Sequence, residues 1–301
     1  MPALSNRRGL IILLCLFLVC ASWGSCYLFI ELALRSIPPF LLTATRIGCA
    51  GLIMFPALWF LGHREKPTVQ DVKFAFCSAF FMSVLSAGLM TVGQQYIPSG
   101  TVAMIMGSVP LWMVIAGWLF LKEKKPTAKQ AFGLVLGTGC VVLLGYRQGS
   151  VGMGSAFGML CLALNITGWV AGSLFAKAHA HSTRLSVLQS TSLMLIAGGI
   201  ELLLISVLLG EKLDVQAVPM LGWVSVVVLI FFGGITAYTC YFWLLEHTST
   251  AIAISYDYVN PVVGMILGYL VTGEPIDSIK VGICFGIILA LSFVVTGNRR
   301  I

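Results

Sequence analysis

Ten long apolar segments, nearly free of charge, follow one another along this chain, at residues 10–34, 38–61, 72–93, 99–121, 128–146, 153–175, 185–209, 219–245, 250–272 and 278–297. A helix that crosses the hydrocarbon core of a bilayer needs about 20 largely apolar residues, and these segments are of that size. Lipid offers no water to an unpaired backbone group, so only helices and closed barrels span it. The alternating segments of about ten residues that mark barrel strands are absent. The pattern predicts an all-α polytopic membrane protein with ten transmembrane helices.

The 301 residues are 58% hydrophobic and 10% charged. A soluble domain has roughly 45–50% apolar and about 25% charged residues, because its surface must be solvated. A cytosolic enzyme, a secreted disulfide scaffold and a disordered chain are excluded. At roughly 30 residues per span, little chain is left for a domain outside the membrane. The net charge of +7 resides in the loops, and no basic stripe interleaved with aromatics suggests a nucleic-acid groove. With the N-terminus inside, thirteen positive residues are cytoplasmic: Arg7, Arg8, Arg64, Lys66, Lys73, Lys122, Lys124, Lys125, Lys129, Lys177, Arg184, Arg299 and Arg300. Four face outward, Arg35, Arg147, Lys212 and Lys280, and Arg46 lies within a span. This asymmetry predicts two cytoplasmic termini. The apolar run after Asn6-Arg7-Arg8 continues without a small-residue cleavage site, so it is read as a retained first span. Nine scattered cysteines with no CxxC pair indicate neither a disulfide framework nor a metal site. No cofactor is called for.

The two halves repeat. Pro110 and Pro261, Gly117 and Gly268, and Glu123 and Glu274 share one offset of 151 residues. Trp23 aligns with Trp169, and a GxxxG recurs at Gly133/Gly137 and Gly282/Gly286. These matches divide the chain into two five-helix repeats, 1–150 and 151–301. Five is odd, so the second repeat enters the membrane opposite to the first. The usual consequence of such an inverted repeat is alternating access around a site near the bilayer midplane. The GxxxG pairs predict close helix contact, within one chain or across a homodimer.

Trp23-Gly24-Ser25 in the first helix, Arg46 in the second, Pro110 followed by Glu123, and Asn260-Pro261 followed by Gly273-Glu274 resemble the EamA-type family of the drug/metabolite transporter superfamily. The resemblance covers nearly the whole chain. It implies a ten-helix permease of a bacterial inner membrane, often exporting amino acids or related metabolites from a cavity between the halves. The seventh helix departs from the second, having Thr191 or Ser192 where the arginine matching Arg46 would fall.

Asp257 lies seven residues beyond Thr250, about 10 Å into the bilayer at 1.5 Å per residue. An ionisable group at that depth is costly unless partnered. It either pairs quietly with Arg46 or a helix terminus, or it couples protons or cations within a cavity. Arg46 either pairs with Glu31 or opens to the cavity, where it can hold a substrate carboxylate bidentately. Tyr256, Tyr258, Ser255 and Asn260 flank Asp257. With Trp23, Trp169, Tyr238, Gln94 and Asn165 they are the candidate polar and aromatic lining. Pro110 and Pro261 lack an N–H and are expected to kink their helices near the midplane, freeing the carbonyls of Met106 and Asp257. Glu123 and Glu274 are expected to be structural, each capping the following helix.

An intramembrane aspartyl protease is the alternative from another class, suggested by Tyr256-Asp257. It needs a second buried aspartate, and Asp71, Asp214 and Asp277 fall at loops or span ends. A receptor has seven spans and a channel a filter or charged rings. ATP drive would need a phosphate-binding loop, which is absent. The expectation is therefore a secondary transporter, not an enzyme, exporting small organic metabolites such as amino acids, with proton coupling through Asp257. A nucleotide-sugar or drug-like solute is the alternative substrate.

Overall fold

The computed structural model describes residues 2–97, 99–147, 156–179, 183–260, 262, 263, 266 and 278–297. Among them there are helices and no strands: α1 (Pro2–Leu34), α2 (Pro39–Phe60), α3 (Val69–Gly93), α4 (Ser99–Met106), α5 (Val109–Phe120), α6 (Ala128–Arg147), α7 (Ala156–His179), α8 (Val187–Leu208), α9 (Met220–His247), α10 (Thr250–Ala253) and α11 (Ser278–Gly297). Six of these, α1, α2, α3, α7, α8 and α9, are long and apolar enough to cross a membrane, and α5 is a shorter apolar helix. The all-helical class is as expected. Pro261, Gly268 and Glu274, and the expected boundary between the halves, lie outside the described residues.

The fourth apolar segment, expected as one kinked helix, is two helices. The chain turns at Gly107 and Ser108, and Pro110 then stands in the first turn of α5. Proline is at home there because the first turn leaves its N–H groups unpaired in any case. The ninth segment is also interrupted: α10 ends at Ala253, a turn occupies 254–255, and helix resumes over 256–260.

Local signals account for the helix ends. The side chains of Thr68 and Ser186 accept the N–H of Asp71 and Gln189, whose own side chains reach back, forming capping boxes at α3 and α8. Thr127 and Gln130 do the same at α6. Both α2 and α8 stop at a glycine in the left-handed region, Gly62 with φ +99° and Gly210 with φ +70°. The amide of the next residue then closes back by a 6→1 bond, His63 to Leu58 O and Glu211 to Ser206 O, each 3.0 Å.

The helices α2 and α8 run antiparallel and are tied at both ends. Glu211, just beyond α8, accepts the backbone N–H groups of Phe40 and Leu41 at the start of α2, at 3.2 and 2.8 Å. At the opposite end Gln189, in the first turn of α8, donates its amide to the carbonyls of His63 and Glu65 beyond α2, each at 3.1 Å. Between the ties the helices cross at Gly48 and Gly199, where a Cβ on Gly199 would come 2.5 Å from the Cα of Gly48. Lipid tails are as apolar as the side chains they solvate, so helices in a membrane associate by close packing of small residues. Leu10, Phe17, Phe60, Leu208 and Phe285 accordingly face outward, while Thr43, Ser83, Thr91 and Ser173 are fully buried.

The GxxxG of α6 is used inside the chain. A Cβ on Gly133 would meet Ala290, Phe293 and Val294 of α11, and one on Gly137 would meet the ring of Tyr258. Two wide π-helical segments complete the frame, Phe80–Gly88 within α3 and Leu229–Thr236 within α9.

Candidate functional site

A cavity with about 560 Å³ of empty space lies between these helices. Trp23, Cys26, Tyr27 and Ile30 of α1 line it, with Arg46 of α2 and Ser86, Ala87 and Met90 of α3. Met106 and Val109 at the α4/α5 break, Asn165 and Trp169 of α7, Tyr238 of α9, and Tyr256, Asp257 and Asn260 close the wall. Of the residues expected from the sequence, Asp257, Arg46, Tyr256, Asn260, Trp23, Trp169, Asn165 and Tyr238 are thus brought together.

Both charged residues are almost fully buried, Arg46 at 3% exposed and Asp257 at 5%. Neither forms an ion pair with a described residue. Glu31, an expected partner of Arg46, instead accepts the hydroxyl of Ser99 at 2.5 Å. The guanidinium of Arg46 lies at the level of Gly233 in the π segment of α9, where an added Cβ would come 3.8 Å from Nη1, and its Nε has no acceptor among the described residues. Asp257 Oδ1 accepts one bond from Asn260 Nδ2 at 3.2 Å. Asn165 Nδ2 donates to Ser86 Oγ at 2.9 Å. The amide oxygens of Asn165 and Asn260 have no donor among the described residues. A buried polar atom left unpaired costs about 1–3 kcal/mol, so several around one cavity describe a place for a polar solute or water.

Aromatic rings form one side of the cavity. Trp23 is ringed by Trp169, Tyr238, Tyr241 and Tyr256, with centroids 5.1, 5.4, 5.4 and 4.9 Å away. Its indole N–H donates to Gly233 O at 3.1 Å. In a regular α-helix that carbonyl would be spent on the i+4 amide. Tyr241, with its hydroxyl 2.6 Å from Ser173 Oγ, packs behind this layer and is completely buried.

Other expected lining residues are elsewhere. The hydroxyl of Tyr258 donates to Leu134 O at 3.2 Å, and its ring belongs to the packing of α6. Ser255 donates to Ile252 O at 2.8 Å, back onto its own helix. Gln94 is buried at the end of α3 with neither amide atom partnered, outside the cavity lining. Pro110 is buried beside Val109 and marks the break that opens the wall at Met106.

Glu123 does not cap α6. Lys122 adopts a left-handed conformation, φ +54°, which turns Glu123 back toward the bundle. There Lys177 Nζ of α7 lies 2.9 Å from Oε1, and the hydroxyl of Thr250, at the start of α10, donates to Oε2 at 2.6 Å. Lys177 also donates to Thr248 O at 3.3 Å, and Arg8 of α1 to His247 O at 3.0 Å. These bonds tie α1, α7, the end of α9 and the start of α10 to Glu123 at one end of the bundle.

Sequence reasoning missed Tyr27, Ser86 and Glu211. Tyr27 was findable, since it stands four residues after Trp23 on one helix face. Ser86 reaches the cavity through the widened register of a π segment, which side-chain periodicity does not announce. Glu211 caps a helix some 170 positions away, a pairing invisible in local sequence.

A cavity inside an apolar helical bundle, with a cation and an anion in its wall that no described charge pairs, is the architecture of a membrane transporter. The chain belongs to the EamA-like transporter family, whose model matches residues 10–146 and again 156–296. It is similar to the uncharacterized inner membrane transporter YedA of Escherichia coli, at 30% identity over 93% of this chain and 89% of that protein. The uncharacterized transporter YoaV of Bacillus subtilis is 24% identical over 89% of this chain and 92% of its own length. A solved crystal structure, 18% identical, shares the fold with a TM-score of 0.71 over 94% of this chain and 93% of its own.

Proposed function

We propose that the protein is a secondary transporter that exports small zwitterionic metabolites such as amino acids across a bacterial inner membrane, with both termini cytoplasmic. The observation that carries this reading is the pair Arg46 and Asp257, which line one cavity yet bind neither each other nor another described charge. Arg46 presents a guanidinium to a carboxylate. Asp257, between Tyr256 and Asn260, presents an anion and aromatic faces to an ammonium. Trp23, Ile30, Met90 and Met106 leave apolar room for a side chain.

Alternating access by two inverted repeats, divided near residue 150, is the mechanism of this reading. It is supported by the two family matches, by antiparallel α2 and α8 crossing at Gly48 and Gly199, and by π segments at Phe80–Gly88 and Leu229–Thr236. The cavity is walled within one chain, so no homodimer is needed to complete it. Proton coupling is assigned to Asp257, a carboxylate that a proton can neutralise when the substrate leaves.

The test is a thermal-shift panel on the purified full-length protein, comparing amino acids with the matching amines and carboxylic acids. A ligand bound only by the folded state raises stability by RT ln(1 + [L]/Kd). Zwitterions should stabilise, amines alone and acids alone should not, and the effect should fade in Asp257→Asn and Arg46→Ala. Stabilisation by amines alone, unaffected by Arg46→Ala, would instead identify a cationic drug-like solute.

A further inference from the structure

A second cavity, with about 690 Å³ of empty space, lies on the far side of the aromatic layer from the first. Three helices serve both cavities, and each does so with residues eight positions apart. Ser86 of α3, Trp169 of α7 and Tyr238 of α9 line the first cavity, and Ser78, Lys177 and Glu246 line the second. Eight residues of α-helix rise about 12 Å. The cavities are therefore successive chambers on one path, toward the end where Arg8 meets His247. The material between them is a layer or two of rings: Phe242 lines the second cavity and packs on Tyr241 with centroids 5.4 Å apart, and Tyr241 packs on Trp23 and Trp169.

The second chamber is built for charge at both ends of a small molecule. The ammonium of Lys177 gives two of its three N–H groups to Glu123 and Thr248, and the third has no partner among the described residues. Val187, at the positive end of the 22-residue helix α8, lines the same wall. The hydroxyl of Ser78, at 1% exposed, has no partner among the described residues. Glu246 supplies the opposite charge, and its one ion-pair contact among the described residues is with the ring of His247 at 3.4 Å. Leu185, Met194 and Phe242 add apolar surface, and Ser190 and Thr191 add hydroxyls along α8.

We infer that this chamber is a staging site that holds the same zwitterionic solute on the far side of the aromatic layer, its carboxylate toward Lys177 and Ser78 and its ammonium toward Glu246. The inference rests on the reading of the substrate as an amino acid. It gives the path two binding sites rather than one.

Binding of radiolabelled L-leucine, and separately of L-phenylalanine, to the full-length protein by equilibrium dialysis tests it. The wild type should show two binding events per chain. Ser190→Leu, on the wall of the second chamber and remote from the Lys177 contacts, should remove one event and leave the affinity of the other unchanged. In proteoliposomes it should raise KM about tenfold for transport starting from the Lys177 end only. Asp257→Asn should remove the other event. Ser78→Ala, which deletes the unpaired hydroxyl without adding bulk, should weaken only the event that Ser190→Leu removes. A single event, lost in Asp257→Asn and untouched by Ser190→Leu, overturns the staging site while keeping the central one. Absence of binding by both amino acids and by the rest of the thermal-shift panel overturns both readings together.

Discussion

The contact between Glu123 and Lys177 joins the two matched parts of the chain, and the proposed alternating access predicts that it holds this end closed. At 2.9 Å the charges attract by about 6 kcal/mol at an effective dielectric near 20. Roughly a quarter of each side chain remains exposed, 21% for Lys177 and 25% for Glu123. Screening and the cost of desolvating both groups bring the net coupling down to about 1–2 kcal/mol. A double-mutant cycle of Glu123→Gln and Lys177→Met measures this directly, because the glutamine still accepts from Thr250 through its carbonyl oxygen. If the pair exists only in this conformation, Glu123→Gln moves the ratio of conformers by about tenfold, since 1.4 kcal/mol is a factor of ten. Unfolding in detergent reads the coupling, and KM measured from the two faces of oriented proteoliposomes reads the shift. A coupling below about 0.3 kcal/mol, with KM unchanged from both faces, would refute the claim that this contact holds the end closed.

Glu211→Ala removes three hydrogen bonds from a carboxylate, to Phe40 N, Leu41 N and Ser206 Oγ. Lost capping and a lost charge at the start of α2 should destabilise by about 2–3 kcal/mol, seen as a lower Tm. Gly199→Ala forces a methyl against the Cα of Gly48 and should cost about 1–3 kcal/mol through separation of α2 and α8, with Gly139→Ala, open on every side, as the neutral control. Asp257→Asn should abolish accumulation driven by a pH gradient in proteoliposomes while leaving exchange of unlabelled for labelled substrate; accumulation at the wild-type level would remove Asp257 from coupling.

What could be read in advance follows the range of the interactions. Spans are legible because lipid imposes a local rule on twenty consecutive residues, and α2, α8 and α9 begin and end within a few positions of the expected bounds. Asp257 and Arg46 are legible because charge at membrane depth is expensive wherever it falls. The pairing of Glu123 is not, because it depends on Lys122 taking a left-handed turn, on Gly117 leaving room, and on a lysine 54 positions away. The expectation for Tyr258 failed for a related reason. Flanking a buried aspartate says nothing about direction, and residues 256 and 258 point to opposite sides of one helical turn, toward Trp23 and toward α6.

The same contrast of local and distant constraints bears on how the path opens. The two chambers are separated by packed rings, and a solute crosses only if Trp23, Trp169 and Tyr241 part. Trp23 is anchored to Gly233 O, inside the π segment of α9, and Asn165 to Ser86, inside the π segment of α3. A π segment carries one residue more per turn than the helix around it, and its return to α-helix shifts the register of everything beyond by about 100°. Such a shift in α9 would withdraw the carbonyl that holds Trp23, and one in α3 would turn Ser86 out of the cavity wall. Both widened stretches also pack against neighbouring helices, Ser83 against Gly198 and Gly234 against Ala50. Trp23, at the centre of the ring layer, and Asn165, in the cavity wall, are thus each held by one of the two least regular stretches of backbone, and the prediction is that a register shift in either loosens that hold without unfolding a span.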